Sequence, residues 1–233
     1  SLEHKMGLHG SPTAVMEYSG ATGWLVGPAH GGMAAMFTMM NNARLGVGVQ
    51  GLGAAEGAYQ HALAYAKDRT QGKTPLGEGS ILDHADVRRM LLTIKSFSEG
   101  SRAFIYYLAQ LSDRDKEGDP LAKKLMGLLT PISKGFITEC GIESANHGVQ
   151  IYGGHGFIRE WGMEQNVRDA RISTLYEGTT GIQSLDLLGR KVLGSGGKLL
   201  ALFAGEVLEL CAQVAEEEAL ADYGTTLGDY LAE

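Results

Sequence analysis

The sequence predicts a mainly α-helical fold: a helical bundle with a short β stretch ahead of it and a helical appendage behind. Apolar residues recur near the 3.6-residue helical period over several long segments from Met33 onward. Only 5 of the 233 residues are proline, and none falls between Pro28 and Pro75. Residues 1–32 differ: Gly7, Gly10, Gly20, Gly23 and Gly27 punctuate short apolar pieces such as Trp24-Leu25-Val26, which is strand-and-turn texture. With 44% hydrophobic residues, the chain can bury a substantial core.

The opening residues, Leu2 to Gly7, start in mid-pattern and are too few for a sheet of their own, so they read as the trailing edge of a β region. A first helix is expected from about Met33 to Arg69, on Met36, Met40, Leu52, Ala55, Tyr59 and Ala66. Within it Gly46, Gly48, Gly51 and Gly53 each cost about 1 kcal/mol relative to alanine. Their repetition points to close packing against another backbone or a ligand. Residues 70–80, with Gly72, Pro75, Gly77 and Gly79, read as a loop. A second helix is expected over Ile81–Leu111, then a charged turn over Asp113–Pro120. The third runs from about Leu121 to His147, with Pro131 expected to kink or interrupt it. Shorter helices are expected at Met163–Asp169 and Gly178–Leu193. After a break at Gly194–Gly197, one helix is expected from Leu199 to Ala221, and the start of another from Tyr223 onward.

A net charge of −7 argues against a general binder of nucleic acid or membrane surface. The 2 cysteines, Cys140 and Cys211, offer neither a disulfide framework nor metal-ligand spacing and read as ordinary buried thiols. No apolar run approaches the ~18 residues of a transmembrane helix. The first residues lack a signal-peptide layout. A reduced intracellular compartment follows.

Chemistry-bearing residues concentrate in two dense runs. The first is Gln150-Ile151-Tyr152-Gly153-Gly154-His155-Gly156, followed by Arg168-Asp169-Ala170; the second is Tyr176-Glu177-Gly178-Thr179-Thr180-Gly181-Ile182-Gln183. Glu177 is a single carboxylate beside a glycine with two hydroxyls behind it. Spacing alone leaves two readings open: a catalytic base, or a carboxylate favoured at a helix start by the macrodipole. Gly153-Gly154 follows no strand and is a weak dinucleotide signal by itself. Arg168 and Asp169 read as a structural ion pair. His84, His147 and His155 have no metal-ligand spacing.

These runs, together with Met36–Asn41 and Arg44 at the head of helix one and Tyr65-Ala66-Lys67-Asp68-Arg69 at its end, resemble the C-terminal part of acyl-CoA dehydrogenases. The family desaturates acyl-CoA thioesters between Cα and Cβ using FAD. The spacing from Gln150 to Glu177 matches the family without a gap, and the likeness covers residues 1 to about 190. The tail after Lys191 resembles the extension of a larger-subunit branch that includes 3-methylmercaptopropionyl-CoA dehydrogenases. The resemblance implies an up-down four-helix bundle at 33–193, trailing strands of a β middle domain at 1–32, and a truncated helical extension at 194–233. It also implies FAD between β domain and bundle, with the neighbouring subunit of a homo-oligomer covering the adenosine half.

By the same resemblance Glu177 matches the catalytic base, a role suited to a glutamate whose pKa is raised by burial. Its main-chain N–H would polarise the thioester carbonyl. The alternative base position, just before Arg44, holds Ala43 and is vacant. Gly178 would let the acyl thioester approach, and Thr179 would touch the flavin, although Gly181 stands where the family commonly has glutamine. Arg69, Gln150, Gly153 and Gly154 would meet the partner subunit's FAD, with Gln71-Gly72 in place of the family's Phe-Gly. Arg44 and Asn41 would touch the CoA portion, Asn41 replacing the family's aspartate. The implied partners are an acyl-CoA and an electron-transfer flavoprotein, and the implied compartment is the bacterial cytoplasm, or the mitochondrial matrix in a eukaryote. An acyl-CoA oxidase, and a non-catalytic helical oligomerisation module for an isolated fragment, are the competing readings. The fragment alone is expected to be inactive.

Overall fold

The computed structural model describes residues 1–77 and 79–232. Residue 78 of the expected loop and residue 233 of the last expected helix lie outside the described residues. Three long helices make the body: α1 (Gly32–Asp68), α2 (Ala85–Lys116) and α3 (Pro120–Tyr152). A fourth, shorter column packs on α3. It begins as α5 (Thr180–Leu185) and continues as a π-helix over Asp186–Val192. The short α4 (Met163–Ala170) lies between them in sequence, and α6 (Lys198–Val214) with α7 (Ala221–Ala232) forms a C-terminal hairpin. The fold is mainly helical, as expected. No helix among the described residues is long and apolar enough to cross a membrane.

α3 is the interior helix and packs along both α1 and α2. Against α1 the two backbones nearly touch. A Cβ built on Gly51 would sit 2.5 Å from the Ile137 carbonyl oxygen, and one on Gly141 would sit 2.6 Å from that of Gly51. The expected close glycine packing is therefore a glycine-to-glycine seam. Gly46 and Gly53, in contrast, face open space. Beyond the seam, Ala58, Ala62 and Ala66 of α1 pack with Met90, Leu91 and Ile94 of α2 and with Ile151 of α3. At the other end Leu108, Leu111, Leu125 and Leu129 join α2 to α3, with Leu202 and Phe203 of α6 laid over them. Each apolar stripe has one interior helix to meet, so the long helices gain their stability from packing more than from propensity.

Several boundaries depart from the sequence expectation. Helix two begins at Ala85, because His84 is extended (φ −74°, ψ 131°) after a 3-10 turn at Ile81–Asp83. It then runs on to Lys116, whose ammonium pairs with Asp113 at 3.1 Å. Asp119 caps α3 by accepting from Leu121 N–H at 2.8 Å, with Pro120 in the first helical position, where its missing N–H costs nothing. Pro131 does not interrupt α3, which continues to Tyr152. The ring removes one N–H to the Gly127 carbonyl, a local loss that packing on two sides outweighs. The helix expected at Leu199–Ala221 ends at Val214, and Glu216–Glu218 fall in the turn before α7. Three carboxylates at a helix C-terminus oppose the macrodipole, which favours ending there.

Residues 1–31 form one isolated antiparallel bridge, Leu2 with Ala14, and no further strand among the described residues. The expected strand texture is present without a sheet to join. This segment docks on α4: Leu8 N–H donates to Asp169 Oδ1 at 2.7 Å, and Arg168 Nη1 donates to the Met6 carbonyl at 2.9 Å. Arg168 and Asp169 do not pair with each other. Adjacent helical residues point about 100° apart, and Arg168 pairs one turn back with Glu164 at 2.5 Å. Neither cysteine is in a disulfide. Burial pushes the Cys140 thiol up to about 11, and Cys211 is only half-buried.

Candidate active site

Glu177 lies in the link between α4 and α5. A 3-10 turn at Arg171–Thr174 ends α4, and Thr179 caps α5 by accepting from Ile182 N–H at 3.3 Å. Glu177 therefore precedes the cap and lies outside the first helical turn, where the macrodipole reading would have put it. Its backbone is left-handed, with φ +55°, an uncommon conformation for a residue with a side chain. Gly178 follows at φ +93°. A Cβ there would lie 2.8 Å from Gln183 Nε2 and 3.2 Å from Ile182 Cγ2, so the chain itself requires glycine at this position.

Two successive carbonyls in this link are fully bonded. The Glu177 oxygen accepts from Arg44 Nε at 3.3 Å and Gln183 Nε2 at 3.4 Å. The Gly178 oxygen accepts from Lys134 Nζ at 2.6 Å and Gln183 Nε2 at 3.1 Å. All three donors are buried: Arg44 is 7% exposed, Gln183 2% and Lys134 0%. Arg44 comes from α1, Lys134 from α3 and Gln183 from α5. Asp186, 6% exposed at the start of the π-helix, balances Arg44 across 3.5 Å. Lys134 has no carboxylate in ion-pair range among the described residues. Burial draws its ammonium below the ordinary lysine value and Arg44 adds to that, while Glu139 and Glu177 oppose it. Around this clamp Glu177 is half-buried, and its N–H has no acceptor among the described residues.

Of the expected site residues, Arg44, Glu177 and Gly178 come together here. Asn41 is exposed one turn before Arg44, and Thr179 is exposed with its hydroxyl used in the cap. Arg44 points inward to Asp186 and Glu177, not outward. Lys134, Gln183 and Asp186 escaped the sequence reading. The signal was present at Lys134, which shares a helix face with Ile137, Thr138 and Gly141, all buried.

The second expected group lies at the other end of α1. Arg69, Gly153 and Gly154 line a cavity of about 400 Å³ with Tyr65, Tyr152 and His84. Gln150 is exposed on the last turns of α3 nearby. Tyr65 stacks on Tyr152 with centroids 4.1 Å apart, and its hydroxyl meets His155 Nδ1 at 3.0 Å. His155 in turn stacks on Trp161 at 4.2 Å. The Arg69 guanidinium, whose Nη2 donates to Gln71 Oε1 at 3.3 Å, forms with the glycine backbone and flat aromatic faces a donor set that fits the diphosphate and base of a dinucleotide. Arg44 and Arg69 are separated by about 37 Å of helical rise, so the two clusters lie far apart along α1.

Fold and sites point to one class. Residues 30–193 match the family model described as "Acyl-CoA dehydrogenase, C-terminal domain", and the chain belongs to the acyl-CoA dehydrogenase family. It is 50% identical over 212 residues to 3-methylmercaptopropionyl-CoA dehydrogenase of Ruegeria pomeroyi, a match covering 88% of this chain and 36% of that protein. It is 36% identical to a butyryl-CoA dehydrogenase of Syntrophomonas wolfei, covering 95% of this chain and 39% of that protein. Caenorhabditis elegans ACDH-11, solved in complex with C11-CoA, superposes with a TM-score of 0.88 at 24% identity over 99% of this chain and 38% of that one, a likeness of fold. The chain thus spans about two fifths of the length of the curated relatives it matches.

Proposed function

We propose that the chain is the C-terminal part of an FAD-dependent acyl-CoA dehydrogenase that desaturates an acyl-CoA thioester, with Glu177 as the α-proton base. In this reading residues 1–32 trail a β domain, 33–193 form the bundle and 194–233 an extension. FAD, when bound, takes the hydride that leaves Cβ. The chain's own residues do the rest. The Glu177 carboxylate receives the proton from Cα, and its main-chain N–H, free of an internal acceptor, donates to the thioester carbonyl where enolate charge grows. Thr179 would hold the flavin end of one FAD. Arg69, Gln150, Gly153 and Gly154 would hold the adenosine side of another, which supports a homo-oligomer. The two bacterial relatives support a cytoplasmic enzyme.

The observation that carries this reading is the left-handed Glu177, set in a link whose carbonyls are clamped from three helices. Strain of that kind persists only where the surroundings over-determine it, and it concentrates at active sites. The test is Glu177→Gln in the full-length, FAD-loaded protein. We expect retained flavin and turnover reduced by about 100-fold or more, since an amide cannot accept the proton. Near-normal turnover would remove the base assignment. Electron transfer to a flavoprotein is separated from oxidase activity by mixing the acyl-CoA-reduced protein with oxygen: slow reoxidation is expected, and fast reoxidation would identify an oxidase.

A further inference from the structure

We propose that Lys134 is a positioning residue for Glu177: from inside α3 it holds the Gly178 carbonyl and so fixes the conformation that presents the base. The inference rests on the reading of Glu177 as α-proton acceptor. Lys134 is entirely buried, yet its ammonium is spent on a main-chain carbonyl 44 residues away and on no carboxylate among the described residues. Burying a cation is unfavourable unless its bonding has a strong partner. A site that merely filled space would hold an aliphatic side chain.

The reason a clamp is needed lies in the two residues it grips. Glu177 is in a conformation that side chains avoid, and the residue after it is glycine, the freest to rotate. Without restraint at Gly178, the peptide on its C-terminal side could turn and carry Glu177 back to an ordinary conformation. Lys134 and Gln183 occupy both lone pairs of the Gly178 oxygen, and Arg44 with Gln183 occupies those of the Glu177 oxygen. The 2.6 Å bond from Lys134 is the shortest of the four and the only one to Gly178 from outside the α5 column. α3 is also the helix packed backbone to backbone against α1 at the glycine seam, so Lys134 ties the link to a closely packed helix.

The test uses Lys134→Met in the full-length, FAD-loaded protein; methionine keeps an unbranched stem and removes the ammonium. Because a misplacement of about 1 Å can cost 100-fold, we expect kcat to fall about 10- to 100-fold. Flavin content and KM should be retained, and the kinetic isotope effect on Cα-deuterated substrate should increase. A merely structural role would lower kcat only in proportion to flavin content and leave the isotope effect unchanged. In the double variant with Glu177→Gln, the Lys134 change should add little further loss, since it acts through that residue. If Glu177→Gln is inactive while Lys134→Met has wild-type kcat and isotope effect, the positioning role is overturned and the base reading stands. If Glu177→Gln turns over normally, the base reading fails and takes this role with it. Should Lys134→Met fail to fold by circular dichroism, Gln183→Met removes the other donor to the same carbonyl without touching a charge. A several-fold loss of kcat at constant KM is then expected, and an unchanged kcat would overturn the clamp.

Discussion

α3 meets the rest of the molecule in two contrasting ways. At Gly51 and Gly141 it touches α1 backbone to backbone, the nearest atoms all being main-chain. One turn to two turns earlier, at Lys134, it reaches out through a long cationic side chain to grip a loop carbonyl. The seam is a van der Waals contact that admits nothing larger than hydrogen. The clamp is a set of directional bonds whose members can be exchanged only for other donors. The first fixes where the helices lie, and the second fixes how one residue is presented. Stability and function are therefore expected to respond separately to changes at the two places.

Breaking the seam has the largest predicted effect on the fold. Gly141→Leu puts a side chain where even a Cβ would lie 2.6 Å from the Gly51 oxygen, so α1 and α3 must separate. Overpacking of this kind costs about 3 kcal/mol or more, a fall in Tm of roughly 6–12 °C for a chain of this size. A thermal midpoint within about 2 °C of the parent would mean that the helices part easily and the seam is not tight.

Gly178→Ala separates the two regions from the other side. Its left-handed φ of +93° and the 2.8 Å approach to Gln183 Nε2 put the strain in the link and the clamp, away from the seam. The cost to the fold is about 1–3 kcal/mol, a smaller fall in Tm than at Gly141, while turnover drops at least about 10-fold as Glu177 shifts. A variant that melts early but turns over normally would show that the link's geometry serves only the fold.

The two regions also differ in how far the sequence revealed them. The run Gly46, Gly48, Gly51, Gly53 announced close packing, because so many helix-weakening residues need a compensating contact. Which glycines make it depends on the rotation of α1 against α3, a tertiary quantity, and only the Gly48–Gly51 face meets α3. Glu177 and Gly178 are singled out in the sequence by the resemblance of their motif. Their supports are not: lysine, glutamine and aspartate in helices read as solvated unless the apolar stripe is traced through them. Asp186 further depends on a π-helix, whose register no 3.6-residue period reveals. At Pro131 the expected interruption does not occur, since helix packing on two sides overrode a local preference.

The smallest predicted effect uses pH to sharpen the contrast. The seam holds no ionisable group, but α1 is also joined to α2 by Glu56, whose carboxylate accepts from Ser98 and from Arg102 at 2.9 Å. The Ser98 hydrogen bond, then that of Gln60, with Arg102 assisting against partial burial, hold its pKa below the ordinary 4.5. A carboxylate depressed in the folded state stabilises it fully above its unfolded value. That contribution is lost as pH falls from about 4.5 through the lower folded value. Glu56→Gln should therefore lower the unfolding free energy from urea titration at pH 7 by an amount typical of a partly exposed pair, about 0.2–1 kcal/mol. The gap between variant and parent should close toward pH 3, whereas the loss in Gly141→Leu should be as large at pH 3 as at pH 7. A Glu56 gap that persisted unchanged into acid would mean that the hydrogen bonds to its neutral form are worth as much as those to its carboxylate, and that the α1–α2 junction is held, like the seam, by shape.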